Sequence, residues 1–260
     1  MSALADPRNG PEYDLPECTG ARTYVIASSP RTGSTLLARM LWDSGRAGAP
    51  KEYLNPMQLR DWEVRLGSPL SRWRHGLLWG PTVGLAGRGR WTERRVEDHL
   101  RRVRRRRSGG GWFGLKIHWH HFERFFIRPG RDVDAMLDRP VWIRIRRRDR
   151  LAQAVSWVRA VQTGAWIRSQ HPRITPIYSR ALITARLADI EVAEAGWDGF
   201  FRGRSVLELD YEGLREDPSL ETRRVLDHLG VRAPEVLEIP LERQADPLSD
   251  AWIGRYRAGD

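Results

Sequence analysis

The segment 23-TYVIASSPRTGSTLLARM-40 constrains the fold more than any other part of this 260-residue chain. Residues 23–27 are β-rich and apolar, so a strand is expected there. Leu36, Leu37, Met40 and Leu41 then recur at helical spacing, and Gly45 closes that helix. Residues 28–34 make the turn between the two. Successive backbone N–H groups at Arg31, Thr32, Gly33 and Ser34 can converge on phosphate oxygens at such a helix start, with hydroxyls added by Ser34 and Thr35. A nucleotide triphosphatase would read GxxxxGK[ST] here. Ser28 replaces its first glycine and Ser34 its lysine, which argues against magnesium-dependent hydrolysis of ATP or GTP. Arg31 restores a positive charge earlier in the loop. For this motif alone, an ordinary glycine turn remains the plain alternative.

Further strands are expected at 113–119, 141–147 and 205–210, and helices at 93–107, 150–166, 176–197 and 217–230. The last carries its own punctuation: Asp217 as cap, Pro218 in the first turn, Gly230 at the end. Residues 47–90 are interrupted by Pro50, Pro56, Pro69 and Pro81 and read as loose. Strands alternating with helices predict an α/β fold, a central mostly parallel sheet flanked by helices, in a single domain. Residues 21–260 are assigned to it, and the polar, Pro- and Gly-containing residues 1–20 to a flexible N-terminal arm that is neither a signal peptide nor a membrane span.

Charge needs care. Net charge is +11, and Lys51 and Lys116 are the only lysines among 44 basic residues, so any single arginine is weak evidence. The run 101-RRVRRRR-107 could attract nucleic acid, but no zinc-finger spacing or RNA-binding signature accompanies it. A field that gathers small polyanions accounts for the same composition, and no nucleic-acid partner is expected. The single Cys18 excludes an intrachain disulfide and suits a reducing, cytoplasmic location.

A second basic cluster, 144-RIRRRDRLAQAVS-156, ends a strand in arginines and enters a helix bearing Ser156. Ligands of open α/β sheets bind outside the carboxyl ends of strands, where both clusters fall, and two anion sites there suit a ligand with phosphates at both ends. On these residues, together with 152-AQAVSWVRAVQT-163, 210-DYEGLREDPSLETRRVLDHLG-230 and 240-PLERQADPLSDAWIGRYR-257, the chain resembles the PAPS-dependent sulfotransferases, in detail the bacterial trehalose 2-sulfotransferase type.

That resemblance implies a P-loop-like sulfotransferase fold and sulfuryl transfer from 3′-phosphoadenylyl sulfate (PAPS), with PAP as product, to a hydroxyl of a small acceptor, without a metal. It also implies a homodimer. Pro30, Arg31, Thr32, Gly33, Ser34 and Thr35 would hold the 5′-phosphosulfate, Arg147 and Ser156 the 3′-phosphate, and Arg243 joins the donor-binding set. Glu52, in 48-GAPKEYLNP-56, takes the place of the family's general base, with Tyr53 beside it; its plain alternative is a loop carboxylate paired with an arginine.

Arg31 can clamp charge but not donate a proton, since its pKa exceeds ~12. Lys116 sits mid-strand in 113-FGLKIHWHHF-122, and a buried ammonium needs an anion. The transferred sulfuryl group or the donor phosphate would suit it, and a framework carboxylate equally. Trp119 is a candidate acceptor contact or a core residue. His118 and His120 would alternate onto one strand face, but the spacing is not that of a zinc site, and His118 is better read as an alternative base. Ala49 stands where the trehalose-type pattern carries a sugar-binding glutamate. A small-molecule phosphotransferase and a non-catalytic nucleotide- or RNA-binding protein are the competing readings.

Overall fold

The computed structural model describes residues 7–67, 91–166, 170, 174–237 and 247–259. Four strands, β1 (Arg22–Ser28), β2 (Trp112–His118), β3 (Val141–Arg146) and β4 (Leu207–Asp210), form one sheet in the order β2-β1-β3-β4. Every neighbouring pair is parallel. Strand β1 and the outer strand β2 are buried along nearly their whole length, which is why they read as nearly unbroken apolar runs rather than alternating ones. Val25 and Ala27 face a cluster with Trp62, Phe122 and Trp197. Tyr24 and Ile26 face the other cluster, with Leu37, Leu41 and Leu226.

The chain leaves β1 toward β2 and leaves β3 toward β4, in opposite directions across the sheet. The crevice between the carboxyl ends of β1 and β3 is therefore the switch point of the topology. Helix α1 (Ser34–Asp43) follows β1 there. Then come α2 (Leu59–Leu66), α3 (Glu93–Arg107), the short α4 (Trp119–Phe122) running into a π-turn, and α5 (Val133–Leu137). Helix α6 (Arg150–Thr163) follows β3, and packs on α7 (Arg180–Phe201); α8 (Tyr211–Glu216), α9 (Pro218–His228) and α10 (Pro247–Ala258) complete the order.

Caps explain where helices depart from expectation. The helix expected over 150–166 stops at Thr163, because Gly164 adopts φ 70° and its N–H closes on Ala160. The one expected from 176 begins at Arg180, where the Ser179 hydroxyl accepts from the Leu182 N–H, and continues to Phe201. Helix α2 lies in a region read as loose; its residues carry no proline, and Trp62 fills the core.

Residues 7–20, expected to form a flexible arm, lie against the body. Arg107 is fully buried between the Trp42 and Trp62 rings, 5.4 and 5.1 Å away, and donates to the carbonyls of Arg8, Asn9 and Gly10. Asp14 pairs with Arg107 and Arg65, and Arg8 with Asp43. A buried guanidinium needs acceptors, and this segment supplies them.

Candidate active site

The turn after β1 is built to present its backbone. Arg31 takes φ 69° and Gly33 φ 81°, on either side of Thr32, so the sign of φ alternates as it does in anion-binding nests. A non-glycine residue at positive φ costs about 1–3 kcal/mol, and persists only where its surroundings fix it. Here they do. Gln153 Nε2 donates to the Pro30 carbonyl at 2.7 Å and to Ser29 Oγ at 3.0 Å, while the Thr32 hydroxyl donates back to the Ser29 carbonyl at 3.0 Å. The hydroxyl of Thr32 is thus spent on the turn, and only its N–H is available to a ligand. Gly33 has a second reason: a Cβ there would meet the Tyr211 ring at 2.9 Å. Ser34 is buried at the first turn of α1.

The fold brings the loop to the second cluster. Arg31 Nε donates to Ser156 Oγ at 3.0 Å and its Nη1 to the Trp166 carbonyl at 2.6 Å. Burial, followed by the charges of Arg147 and Arg159, pulls the Arg31 pKa down to about 10. Arg147 lies over the Tyr211 ring at 4.3 Å, and its buried Nε has no hydrogen-bond partner. Its pKa too is lowered, by burial first. Arg147 over an aromatic ring, Arg31 nearby and a backbone nest beside them suit an anionic ligand with two charged ends. Tyr211 was not singled out from the sequence; the motif 210-DYEG was its signal, since Asp210 caps α8 and so fixes the tyrosine behind it. Arg243 lies outside the described residues.

A second group sits nearer β2. Lys51 bridges to the edge of β2, where its carbonyl accepts from the Lys116 N–H at 2.9 Å, and this sets Glu52 beside the strand. Lys116 Nζ then lies 2.8 Å from Glu52 Oε1 and 2.9 Å from Thr35 Oγ1. His118 Nε2 is 3.2 Å from the same carboxylate oxygen, and its Nδ1 is 2.9 Å from Ser28 Oγ. Asn55 donates to the other oxygen at 2.8 Å. Burial acts to raise the Glu52 pKa, but Lys116 and His118 outweigh it and hold the carboxyl well below the usual range. The anion that Lys116 needs is therefore Glu52, with the loop hydroxyl on its other side.

Three expectations are corrected. Tyr53 does not face an acceptor: it is fully buried, stacked on Phe113, with its hydroxyl donating to the Ala49 carbonyl. Trp119 is a core residue, 5.1 Å from Trp197 and seated on Gly196, where a Cβ would strike its ring at 2.1 Å. His118 and His120 do not share a strand face, because β2 ends at His118 and α4 begins at the next residue. Burial and neighbouring imidazoles push His120 down to about 4, and His121 well below its ordinary value. Among the described residues, no group of three or more His, Cys, Asp or Glu could hold a metal, and no helix is long and apolar enough to cross a membrane.

The sequence matches the family described as Stf0 sulphotransferase over residues 23–259. It is 29% identical to trehalose 2-sulfotransferase of Mycobacterium tuberculosis, across 91% of this chain and 95% of that one. The trehalose 2-sulfotransferase of Mycolicibacterium smegmatis is 30% identical, across 90% and 94%. Among solved structures, the sulfotransferase domain from the Synechococcus PCC 7002 olefin synthase aligns with a TM-score of 0.48 and 20% identity, over 94% of this chain and 90% of that one.

Proposed function

The chain belongs to the Stf0 sulphotransferase family and is a sulfotransferase, and from that premise we propose that it moves a sulfuryl group from PAPS to a hydroxyl of a small, carbohydrate-type acceptor. The donor supplies the sulfuryl group and a phosphate leaving group. Arg147, set over the Tyr211 ring without an ion pair among the described residues and close to the Arg31–Ser156 contact, favours a donor with a 3′-phosphate, and Arg147, Ser156, Arg31 and the N–H groups of residues 31–35 would hold it. Arg243 is kept in that set by resemblance.

The observation that carries the reading is the Thr35–Lys116–Glu52 contact, which ties the phosphate loop to a carboxylate. Sulfuryl transfer requires the acceptor hydroxyl to lose its proton while charge shifts onto the leaving oxygen. Glu52 takes the proton, and Lys116 stands between it and the loop. Paired as it is, Glu52 is a weak base. Sharing Lys116 with negative charge on the loop relaxes that pair and raises the proton affinity of Glu52. A second reading makes His118 the base, because the Ser28–His118–Glu52 chain could orient its imidazole. We keep a homodimer and a cytoplasmic location as parts of the proposal, and the sulfotransferase domain as residues 21–260.

Trehalose itself is proposed to be a poor acceptor. Ala49 is fully buried and offers no carboxylate to paired sugar hydroxyls. Losing such a partner costs several kcal/mol of discrimination, since buried hydroxyls go unpaired. The test is incubation of the protein and labelled PAPS with trehalose in one arm and a metabolite extract of its host in the other, with label followed by mass spectrometry. Label is expected in an extract component; rapid formation of trehalose sulfate would overturn the trehalose proposal, and no transfer in either arm the reading as a whole.

A further inference from the structure

Thr35, Arg39 and Trp42 of α1 line one small pocket together with Lys51, Glu52 and Lys116. Its charge is unusual. Lys116 is neutralised by Glu52, and Arg8, which also lines it, by Asp43. Arg39 is half-buried in the wall and makes no ion pair or hydrogen bond among the described residues. Arg65 and Arg95, also partly buried, do meet carboxylates, Asp14 and Glu63.

Position makes this informative. Thr35 and Arg39 are four residues apart on one helix, so they share a face, with a rise of about 6 Å between them. Thr35 touches Lys116, which touches Glu52. Arg39 therefore lies within reach of a molecule whose hydroxyl is held at Glu52. We propose that the acceptor carries a negatively charged substituent, a carboxylate or a phosphoryl or sulfuryl ester, within roughly one helical turn of the reacting hydroxyl, and that Arg39 binds it. This rests on the assignment of Glu52 to the transfer site. It accounts for a half-buried guanidinium left unpaired beside the transfer site, and charge-assisted contacts of that kind are the strong ones.

The experiment is calorimetric titration of the PAP-loaded protein, so that the donor site is already filled, with methyl glucoside, glucuronate and glucose 6-phosphate. The two anionic probes are expected to separate a carboxylate from a phosphoryl preference. At least one should bind about tenfold or more tightly than methyl glucoside. Arg39→Gln should abolish that difference, Arg39→Lys should restore part of it, and Arg101→Gln, which removes an equal charge from an exposed site, should leave it intact. Unchanged PAP affinity in Arg39→Gln reports that the variant is folded. Equal binding of neutral and anionic probes, or a preference that survives Arg39→Gln, overturns the proposal while leaving sulfuryl transfer standing. Failure to bind PAP at all would instead strike the donor assignment.

Discussion

Arg144 and Arg147 stand three positions apart, yet the protein treats the two guanidinium groups in opposite ways. Arg144 is 2% exposed and meets Glu194, Asp198 and Glu208 at 2.8, 2.6 and 3.6 Å. Burial would lower its pKa, but those carboxylates raise it. Arg147, past the end of β3, has an aromatic ring beneath it and Arg31 nearby, and makes no ion pair among the described residues, with Asp149 and Glu212 acting on it only from further off. The difference teaches how to sort arginines in a chain so full of them. One whose charge is answered inside the protein holds the frame: Glu194, gripped by Arg144, in turn accepts from Ser29 in the loop. One whose charge is left unanswered at a sheet edge is waiting for something outside.

Glu52 is the hardest case for this contrast, since it is paired like a framework residue and proposed as a base. Glu52→Gln keeps its shape but removes the proton acceptor, and is expected to lower turnover by about 10²–10⁴ while PAP affinity stays within a few fold. Near-parent turnover in Glu52→Gln, with loss of turnover in His118→Ala, would move the base to the histidine and leave Glu52 a structural partner. Next in size is Arg144→Ala. Removing one partner of a buried pair strands the charge on Glu194, at a cost of about 3–5 kcal/mol. Thermal denaturation should show a lowered Tm, and a parent-like Tm would erase the distinction between the two arginines.

Arg147→Ala should do the reverse. Its Tm should stay near the parent value, but PAP affinity should fall roughly ten- to a hundredfold, the equivalent of ~1.5–3 kcal/mol for a lost charge-assisted bond. Adenosine 5′-phosphosulfate, which lacks the 3′-phosphate, should bind the variant nearly as it binds the parent. Equal calorimetric affinities of the parent for PAP and AMP would remove the second anion site altogether.

The smallest effect concerns what holds Glu52 in place. His99 Nε2 lies 2.8 Å from the Tyr53 carbonyl, and burial lowers its pKa from 6.5 to about 4. A folded pKa below the unfolded one means that the unfolded chain binds more protons between those values. Stability is therefore complete above about pH 6.5 and is lost as pH falls toward 4. Between pH 7 and pH 6 the loss is roughly 0.7 kcal/mol, or about 2 °C in Tm. His99→Gln should flatten that part of the profile; the same Tm shift in both proteins would show that His99 is not its source.

The sheet was legible because strands covered on both faces leave apolar runs that little else explains. The loop was legible because Gly33, Ser34 and Thr35 open a helix directly after such a run. Residues 59–66 were not, since nearby prolines obscured a two-turn helix. Tyr53 and Trp119 were misread for a different reason: an aromatic beside a charged residue does not reveal which way it points. Here the deciding neighbours, Ala49 and Gly196, act through a carbonyl and through the absence of a Cβ. Glu194 and Gln153, which fix the loop from more than a hundred positions away, had no local signature at all.

Arg107 grips residues 8–10 by their carbonyls, and a carbonyl is the same whichever side chain it belongs to. The anchoring of this strap is thus blind to its sequence, while the side chains of Arg8 and Asn9 project onto the pocket and onto Lys51. Mutation can therefore redraw that wall of the pocket without loosening the strap, which makes residues 8 and 9 an inexpensive place for evolution, or an engineer, to retune what the enzyme accepts.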